Sequence, residues 1–114
     1  MDKDCVFCKI VGGEIPCQKV YEDEDFLAFN DINPAAPIHI LVIPKEHHST
    51  LSALPSDKDA LLLKLLKTVS KIAADKSLDK TGFRTVINTG KDAGQEVFHI
   101  HVHILGGTRL GKMA

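Results

Sequence analysis

Phe98-His99-Ile100-His101-Val102-His103-Ile104-Leu105 is the stretch whose reading decides the fold of this chain. Three of the six histidines stand here, each separated from the next by one aliphatic residue. Strict alternation of polar and apolar side chains has the period of a strand, and Ile100, Val102 and Ile104 favour that state. On a strand His99, His101 and His103 project from one face, neighbours about 6.6 Å apart at about 3.3 Å rise per residue. The aliphatic residues between them then face a core. On a helix the same spacing would scatter the rings around the axis. A row of imidazoles admits a solvated face, a metal site, or acid–base and nucleophilic catalysis. Exposed strand faces draw on Thr, Lys, Glu and Arg, which weighs against the first. Histidine is the commonest neutral nitrogen ligand, and neutral imidazole also suits catalysis at neutral pH. The row alone leaves those two open.

The rest of the chain sets bounds. Its 114 residues predict one domain, 1–114, with a short flexible C-terminal tail over 108–114. Hydrophobic residues at 44% and charged residues at 25% are ordinary globular values. A net charge of −1 gives no electrostatic reason to expect nucleic acid or an anionic membrane as partner. No apolar run approaches the roughly 18 residues that a bilayer span needs. Met1-Asp2-Lys3-Asp4 lacks the basic-then-apolar order of a signal peptide. Three cysteines cannot all pair with one another, so a reducing cytoplasm is expected and a disulfide framework is not.

Outward from the histidine row, the elements read as an α+β domain. Cys5 and Cys8 have the spacing of a metal knuckle. Phe7, Ile10 and Val11 make a short N-terminal helical turn ended by Gly12-Gly13. Strands are expected at Lys19–Tyr21, Phe26–Phe29, Ile38–Ile43 and Phe83–Asn88, with an acidic solvated turn at Glu22–Asp25. Asn33-Pro34-Ala35-Ala36-Pro37 is a loop, because residues before proline leave the α region. Leu51–Leu54 is expected to form a short helical turn. One long helix follows, with Ser56 as its cap and Leu62, Leu65, Leu66, Val69, Ile72 and Ala73 as its buried stripe. Leu61 and Leu63 widen that surface beyond one stripe and point to two-sided burial or a partner subunit. In the loop before the histidine row, Gly94 allows close backbone approach, and neighbouring amides are candidates to cradle an anion.

Gly94 to Gly107 resembles the signature of the histidine triad (HIT) superfamily, and the ending Leu105-Gly106-Gly107 is similar to the Hint branch of nucleotide-binding proteins. Phe29-Asn30-Asp31-Ile32-Asn33-Pro34 and His39-Ile40-Leu41-Val42-Ile43-Pro44-Lys45 resemble further family blocks in the expected order, so the likeness covers about residues 5 to 107. It implies the HIT-like fold: about five mostly antiparallel strands, one long helix and a short N-terminal one. It also implies hydrolysis of the P–N bond of purine nucleoside 5′-phosphoramidates of the AMP-amine type, through a covalent nucleotidyl-histidine. His101 would be the nucleophile and His103 the phosphate contact, with His99 and His39 positioning them. Asp31 matches the ribose-binding carboxylate, and Phe7, Ile10, Phe29 and Ile32 an apolar slot for the base. Asn88 and Gln95 match polar contacts to phosphate or leaving group, and Asn30, Gly94, Glu96 and Val97 complete the substrate-binding candidates.

Relatives carry serine where this chain has Glu96, so either a leaving-group role or a plain solvated carboxylate is open at that position. The resemblance further implies a homodimer paired through the long helix and an adjoining strand. It implies a structural zinc held by Cys5, Cys8, His47 and His99, with His48 the fallback for His47. No redox cofactor is implied. The alternatives are a dinucleoside polyphosphate hydrolase of the Fhit type, against which Leu105-Gly106-Gly107 argues, and a non-catalytic nucleotide-binding regulator, against which the intact triad argues.

Overall fold

The computed structural model describes residues 2–113. The elements run α1 (Val6–Val11), β1 (Lys19–Glu22), β2 (Phe26–Asn30), β3 (Ile38–Pro44), α2 (Asp59–Asp75), α3 (Leu78–Thr81), β4 (Arg84–Val86) and β5 (Val102–Gly106). The strands form one antiparallel sheet in the order β1-β2-β3-β5-β4. This is the expected five-stranded α+β arrangement.

Side chains alternate across a strand, and here both faces of the sheet are covered. Phe26 and Ala28 of β2, Ile40 and Val42 of β3, and Val102 and Ile104 of β5 meet Leu65, Val69 and Ile72 of α2. The opposite parity, Leu27 and Phe29 of β2 with Leu41 and Ile43 of β3, packs on Phe7 and Cys8 of α1. Two-sided burial explains why β2 and β3 read as nearly continuous apolar runs. His39 shares the parity of Leu41, and His103 lies opposite Leu41 in the register, so both belong to the α1 face. His39 and His103 are thus diagonal neighbours on adjacent antiparallel strands.

The strand carrying the histidine row is shorter than its alternation suggests. Regular pairing starts only at Val102, and residues 97–101 run irregularly. The reason is a competing partner: Ile100 N–H donates to His48 O at 2.7 Å, tying this segment to the chain leaving β3. Ile100 is buried all the same. The fourth strand is likewise confined to Arg84–Val86.

Ser56 does not cap α2. A 3₁₀ turn, Ser56–Lys58, leads into the helix, and Lys58 N–H bonds Pro55 O at 2.9 Å with no side-chain cap. The buried stripe of α2 is Leu65, Thr68, Val69, Ile72 and Ala73, with Leu61 and Leu62 packed at its edge. Leu66 is 43% exposed beside Leu63 at 57%, so the unpartnered apolar pair is Leu63 and Leu66. Leu51–Leu54 is a turn with no helix, and the acidic run is organised by Asp23, whose Oδ1 accepts from Asp25 N–H and Phe26 N–H at 2.8 Å. At the end of β5 a Cβ on Gly106 would lie 2.9 Å from Leu78 Cδ2, and Gly107 has φ +89°, so each glycine of Leu-Gly-Gly has its own steric reason. Beyond it, the Arg84 guanidinium donates to Gly111 O at 2.7 Å.

Candidate functional site

Which nitrogen of each ring holds the proton follows from the backbone groups that the fold sets against it. Beside His101 that group is the carbonyl of His99, 2.8 Å from Nδ1. A carbonyl only accepts, so Nδ1 carries the hydrogen and Nε2 keeps a bare lone pair. The ring is buried, with Phe7 edge-on at 5.1 Å and the His103 ring at 5.0 Å. Burial lowers its pKa below the ordinary histidine value and keeps it neutral.

His39 is set in the opposite sense. Ala35 N–H donates to its Nδ1 at 3.0 Å, so the neutral ring holds its hydrogen on Nε2. That Nε2 lies 2.9 Å from His103 Nδ1 and 3.5 Å from Asp31 Oδ2. His103 therefore accepts at Nδ1 and keeps its hydrogen on Nε2. Burial, then the neighbouring His101 and His39, push its pKa down to about 4. Asp31 also accepts Asn33 N–H on Oδ1 at 2.8 Å, which fixes its loop.

His99 faces a second cluster. Its Nε2–H donates to Pro44 O at 2.7 Å, which leaves Nδ1 bare. Burial chiefly, against that hydrogen bond, lowers its pKa to about 4. Nδ1 lies 3.3 Å from Cys5 Sγ, 3.6 Å from Cys8 Sγ and 3.1 Å from His47 Nδ1. His47 Nδ1 is 3.3 Å from Cys8 Sγ, while its Nε2 is 3.6 Å from Asp2 Oδ2. Four donor atoms with their lone pairs converging inside a buried pocket are arranged for a cation, and this set can hold a metal ion. Asp31, His39 and His103 also bring donor atoms together. There, however, the hydrogen on His39 Nε2 already fills the 2.9 Å gap, and Ala35 N–H blocks the alternative tautomer. That group is wired for protons.

The fold thus gathers His39, His101, His103 and Asp31 beside Phe7 and Phe29, whose rings pack edge-on at 5.7 Å with Ile10 and Val97 at their margin. Cys5, Cys8, His47 and His99 form the neighbouring cluster. His48, the fallback ligand, turns away to Glu46 at 3.0 Å. Other candidates stand apart from the rings. Ile32 is 90% exposed, and Asn30 is an exposed residue whose amide reaches Gln18 at 3.4 Å. Asn88 is half-buried ahead of the glycine loop.

That loop is no open anion cradle. Gly94 N–H bonds Lys91 O and Gln95 N–H bonds Gly90 O, while Gly94 sits in the left-handed region at φ 85°. The Gln95 side chain is spent too: Nε2 donates to Ser49 O and Val97 O, and Oε1 accepts Gly90 N–H. It organises the loop from a buried position. Glu96 is exposed on a cleft of about 330 Å³ lined by Asp2, Asp4, Cys5, Val6 and Phe98. A cavity of about 580 Å³ lies instead at the β4 edge between Phe83, Arg84 and the tail, and holds none of the histidines. Sequence reading misses Ala35 N–H, the Pro44 and His99 carbonyls and Asp2 beside His47, because backbone groups leave no residue-type signal.

An antiparallel sheet that buries a neutral histidine, one nitrogen tied to a carbonyl and the other bare, between two further imidazoles defines a class of histidine-row proteins. Residues 12–110 match the family model of the HIT domain, and the chain belongs to that family. It is 52% identical over 103 residues to protein HitA of Neisseria gonorrhoeae, covering 90% of this chain and 95% of that one. A histidine triad protein from Clostridium difficile superposes with a TM-score of 0.96 at 49% identity, covering 100% of this chain and 99% of the other. A HIT family hydrolase from Legionella pneumophila does so with 0.92 at 45%, covering 95% and 96%.

Proposed function

We propose that this protein is a nucleoside phosphoramidase of the Hint branch, hydrolysing the P–N bond of a purine nucleoside 5′-phosphoramidate. The observation that carries the reading is the 2.8 Å bond from His101 Nδ1–H to His99 O, which leaves Nε2 bare in a buried, neutral ring. That is the state a histidine nucleophile needs. Nε2 attacks the α-phosphorus; the new N–P bond forms as the P–N bond to the amine breaks, and the amine leaves with a proton taken from solvent, which the attacking water returns in the next step. Water then cleaves the nucleotidyl-imidazole and releases the nucleoside monophosphate.

His103, its hydrogen held on Nε2 by the bond to His39, donates to a phosphoryl oxygen as charge builds there. Asp31 takes the ribose hydroxyls on the oxygen that faces His39. Phe7 and Phe29 form the floor of the base site, with Ile10 at its edge and Ile32 exposed and available to close over the base. Relatives solved as HIT family hydrolases support a hydrolytic role.

The four-donor cluster fits zinc. Tetrahedral bonds of about 2.3 Å to sulfur and about 2.0 Å to nitrogen give donor–donor edges of about 3.3 to 3.8 Å. Four of the six separations here run from 3.1 to 3.6 Å, and the other two lie within 4.8 Å. Bound zinc would supply a structural tie, fastening α1 and Phe7 beside the histidines, and would keep both thiols in the reduced form that a cytoplasm favours. The exposed Leu63 and Leu66 support pairing of two copies through α2.

Rapid quench with an adenosine phosphoramidate labelled in the nucleotide tests the reading. A labelled adduct on His101 is expected, and His101→Gly should abolish both adduct and turnover while still binding AMP. Residual turnover within about tenfold of the parent, or ~1.4 kcal/mol of barrier, would overturn it.

A further inference from the structure

His99 belongs to two sites at once. Its ring faces the sulfurs, 3.3 Å from Cys5 Sγ and 3.6 Å from Cys8 Sγ, and its carbonyl holds His101 Nδ1–H at 2.8 Å. The residue lies in the irregular segment ahead of β5, outside any strand ladder. The direction of that carbonyl is therefore set by what anchors the residue: Pro44 O on Nε2, the Ile100 N–H bond to His48 O, and the cysteine cluster on Nδ1. Phe7 packs edge-on against both rings, at 5.8 Å from His99 and 5.1 Å from His101.

We infer that Cys5 and Cys8 are positioning residues for His101, acting through His99, and that joining them in a disulfide switches the nucleophile off. The inference rests on His101 as the attacking residue. The two thiols stand three apart at the start of α1, with Cys5 Sγ accepting from Cys8 N–H at 3.4 Å. Their sulfurs lie within 4.8 Å of each other, whereas a disulfide needs about 2.0 Å. Closing the bond draws both sulfurs off the His47–His99 pair. His47 Nδ1, 3.1 Å away, is then the remaining side-chain neighbour of His99 Nδ1. The His99 ring loses the sulfurs it packs against, the first turn of α1 shifts with Phe7 against both rings, and the His99 carbonyl moves with them.

Access favours Cys5 as the first to react. It is 8% exposed against 2% for Cys8, and it lines the cleft that Val6, Glu96 and Phe98 open to solvent. With hydrogen peroxide as oxidant, the Cys5 thiolate attacks one oxygen, the O–O bond breaks, and hydroxide leaves behind a sulfenic acid. The Cys8 thiolate then attacks that sulfur and expels a second hydroxide. Two thiolates and one peroxide give one disulfide and two hydroxides, with two electrons passing from sulfur to oxygen.

The test uses the full chain with Cys17→Ser, because Cys17 packs near these residues without being one of the four donors. Peroxide treatment followed by mass spectrometry should show loss of two hydrogens, reversed by dithiothreitol with zinc resupplied. Long-range proton–nitrogen spectra of the imidazoles should show His101 as a single Nδ1–H tautomer when reduced and as a mixture when oxidised. Oxidation should lower kcat on an adenosine phosphoramidate at least about tenfold while KM stays within about twofold. An oxidised protein with unchanged His101 spectra and full turnover overturns the coupling. Failure to form the disulfide overturns the switch, and loss of the far-ultraviolet circular dichroism on oxidation reduces the pair to a structural clasp. If the reduced protein turns nothing over, the enzymatic reading fails, and the ring spectra still decide whether the cysteines position His101.

Discussion

His39→Ala tests the proton wiring of the site most directly. The ring it removes is buried and spans a chain of two hydrogen bonds, Ala35 N–H to Nδ1 at 3.0 Å and Nε2–H to His103 Nδ1 at 2.9 Å. The Ala35 amide is on an exposed residue and recovers water, so its loss costs little. His103 Nδ1 loses its donor in a half-buried setting, at about 1 to 2 kcal/mol. With the missing ring contacts the protein should lose about 2 kcal/mol, a fall in Tm of roughly 8 °C for a domain of this size. The catalytic effect has a different origin. Without His39 the His103 hydrogen is free to move to Nδ1, and the donor aimed at the phosphoryl oxygen is lost for part of the population. Removing one such donor outright costs about 10²- to 10³-fold, so a partial loss should lower kcat about ten- to a hundredfold, with KM within about threefold. Steady-state kinetics on an adenosine phosphoramidate, beside a calorimetric scan, separates the two effects. A variant that loses stability but turns over within about twofold of the parent would refute the wiring and leave His39 a packing residue.

Three more outcomes follow from the same geometry. His103 is held neutral with its pKa near 4 against about 6.5 unfolded, so the unfolded chain binds the extra proton first. This group's stability is therefore full above about pH 6.5 and falls as pH drops toward 4, by at most about 3 kcal/mol; denaturant titrations across that window should show a shallower slope in His103→Gln, with buried His99 and His101 supplying the remainder. Cys8→Ser should lower both zinc content, by elemental analysis of untagged protein, and Tm; a full metal complement in the Cys5→Ser/Cys8→Ser double variant would place the ion elsewhere. Leu63→Glu with Leu66→Glu, both exposed on α2 and clear of the core, should convert a dimer to a 12.5 kDa species in light scattering without loss of helix, and a parent that is already a monomer would sink the pairing.

Much of this fold is legible because its signals are periodic. The continuous apolar runs of β2 and β3, buried on both faces, and the spacing of Leu65, Val69 and Ile72 along one face of α2 each survive in the structure. What fails is decided by a competitor that no period reports. The row from Phe98 to Leu105 alternates as strictly as any strand, yet only its second half is one, because Ile100 N–H finds His48 O instead of a ladder partner. Ser56 has the chemistry of a cap, but the chain enters α2 through a 3₁₀ turn that satisfies Lys58 N–H with a carbonyl. Leu66 fits the helical stripe by count and lies outside it because Thr68, a residue that periodicity discounts, takes the buried place.

The site divides along a similar line. Residue types and spacing are enough to pick out six histidines and a pair of cysteines as chemistry-bearing, and to suggest both a metal and a nucleophile. They cannot assign which histidine serves which, because an imidazole's role depends on which nitrogen is bare. That is decided by three backbone groups on three different segments: the Ala35 amide before β3, the Pro44 carbonyl at its end, and the His99 carbonyl ahead of β5. The Pro44 carbonyl leaves His99 Nδ1 bare toward two sulfurs and His47 Nδ1, a convergence of donor atoms that can hold a cation. The Ala35 amide puts a hydrogen between His39 and His103, so the same count of donors there passes protons. The His99 carbonyl, acting on His101, holds the hydrogen on Nδ1 and leaves the Nε2 lone pair bare, the state that the proposed nucleophile requires.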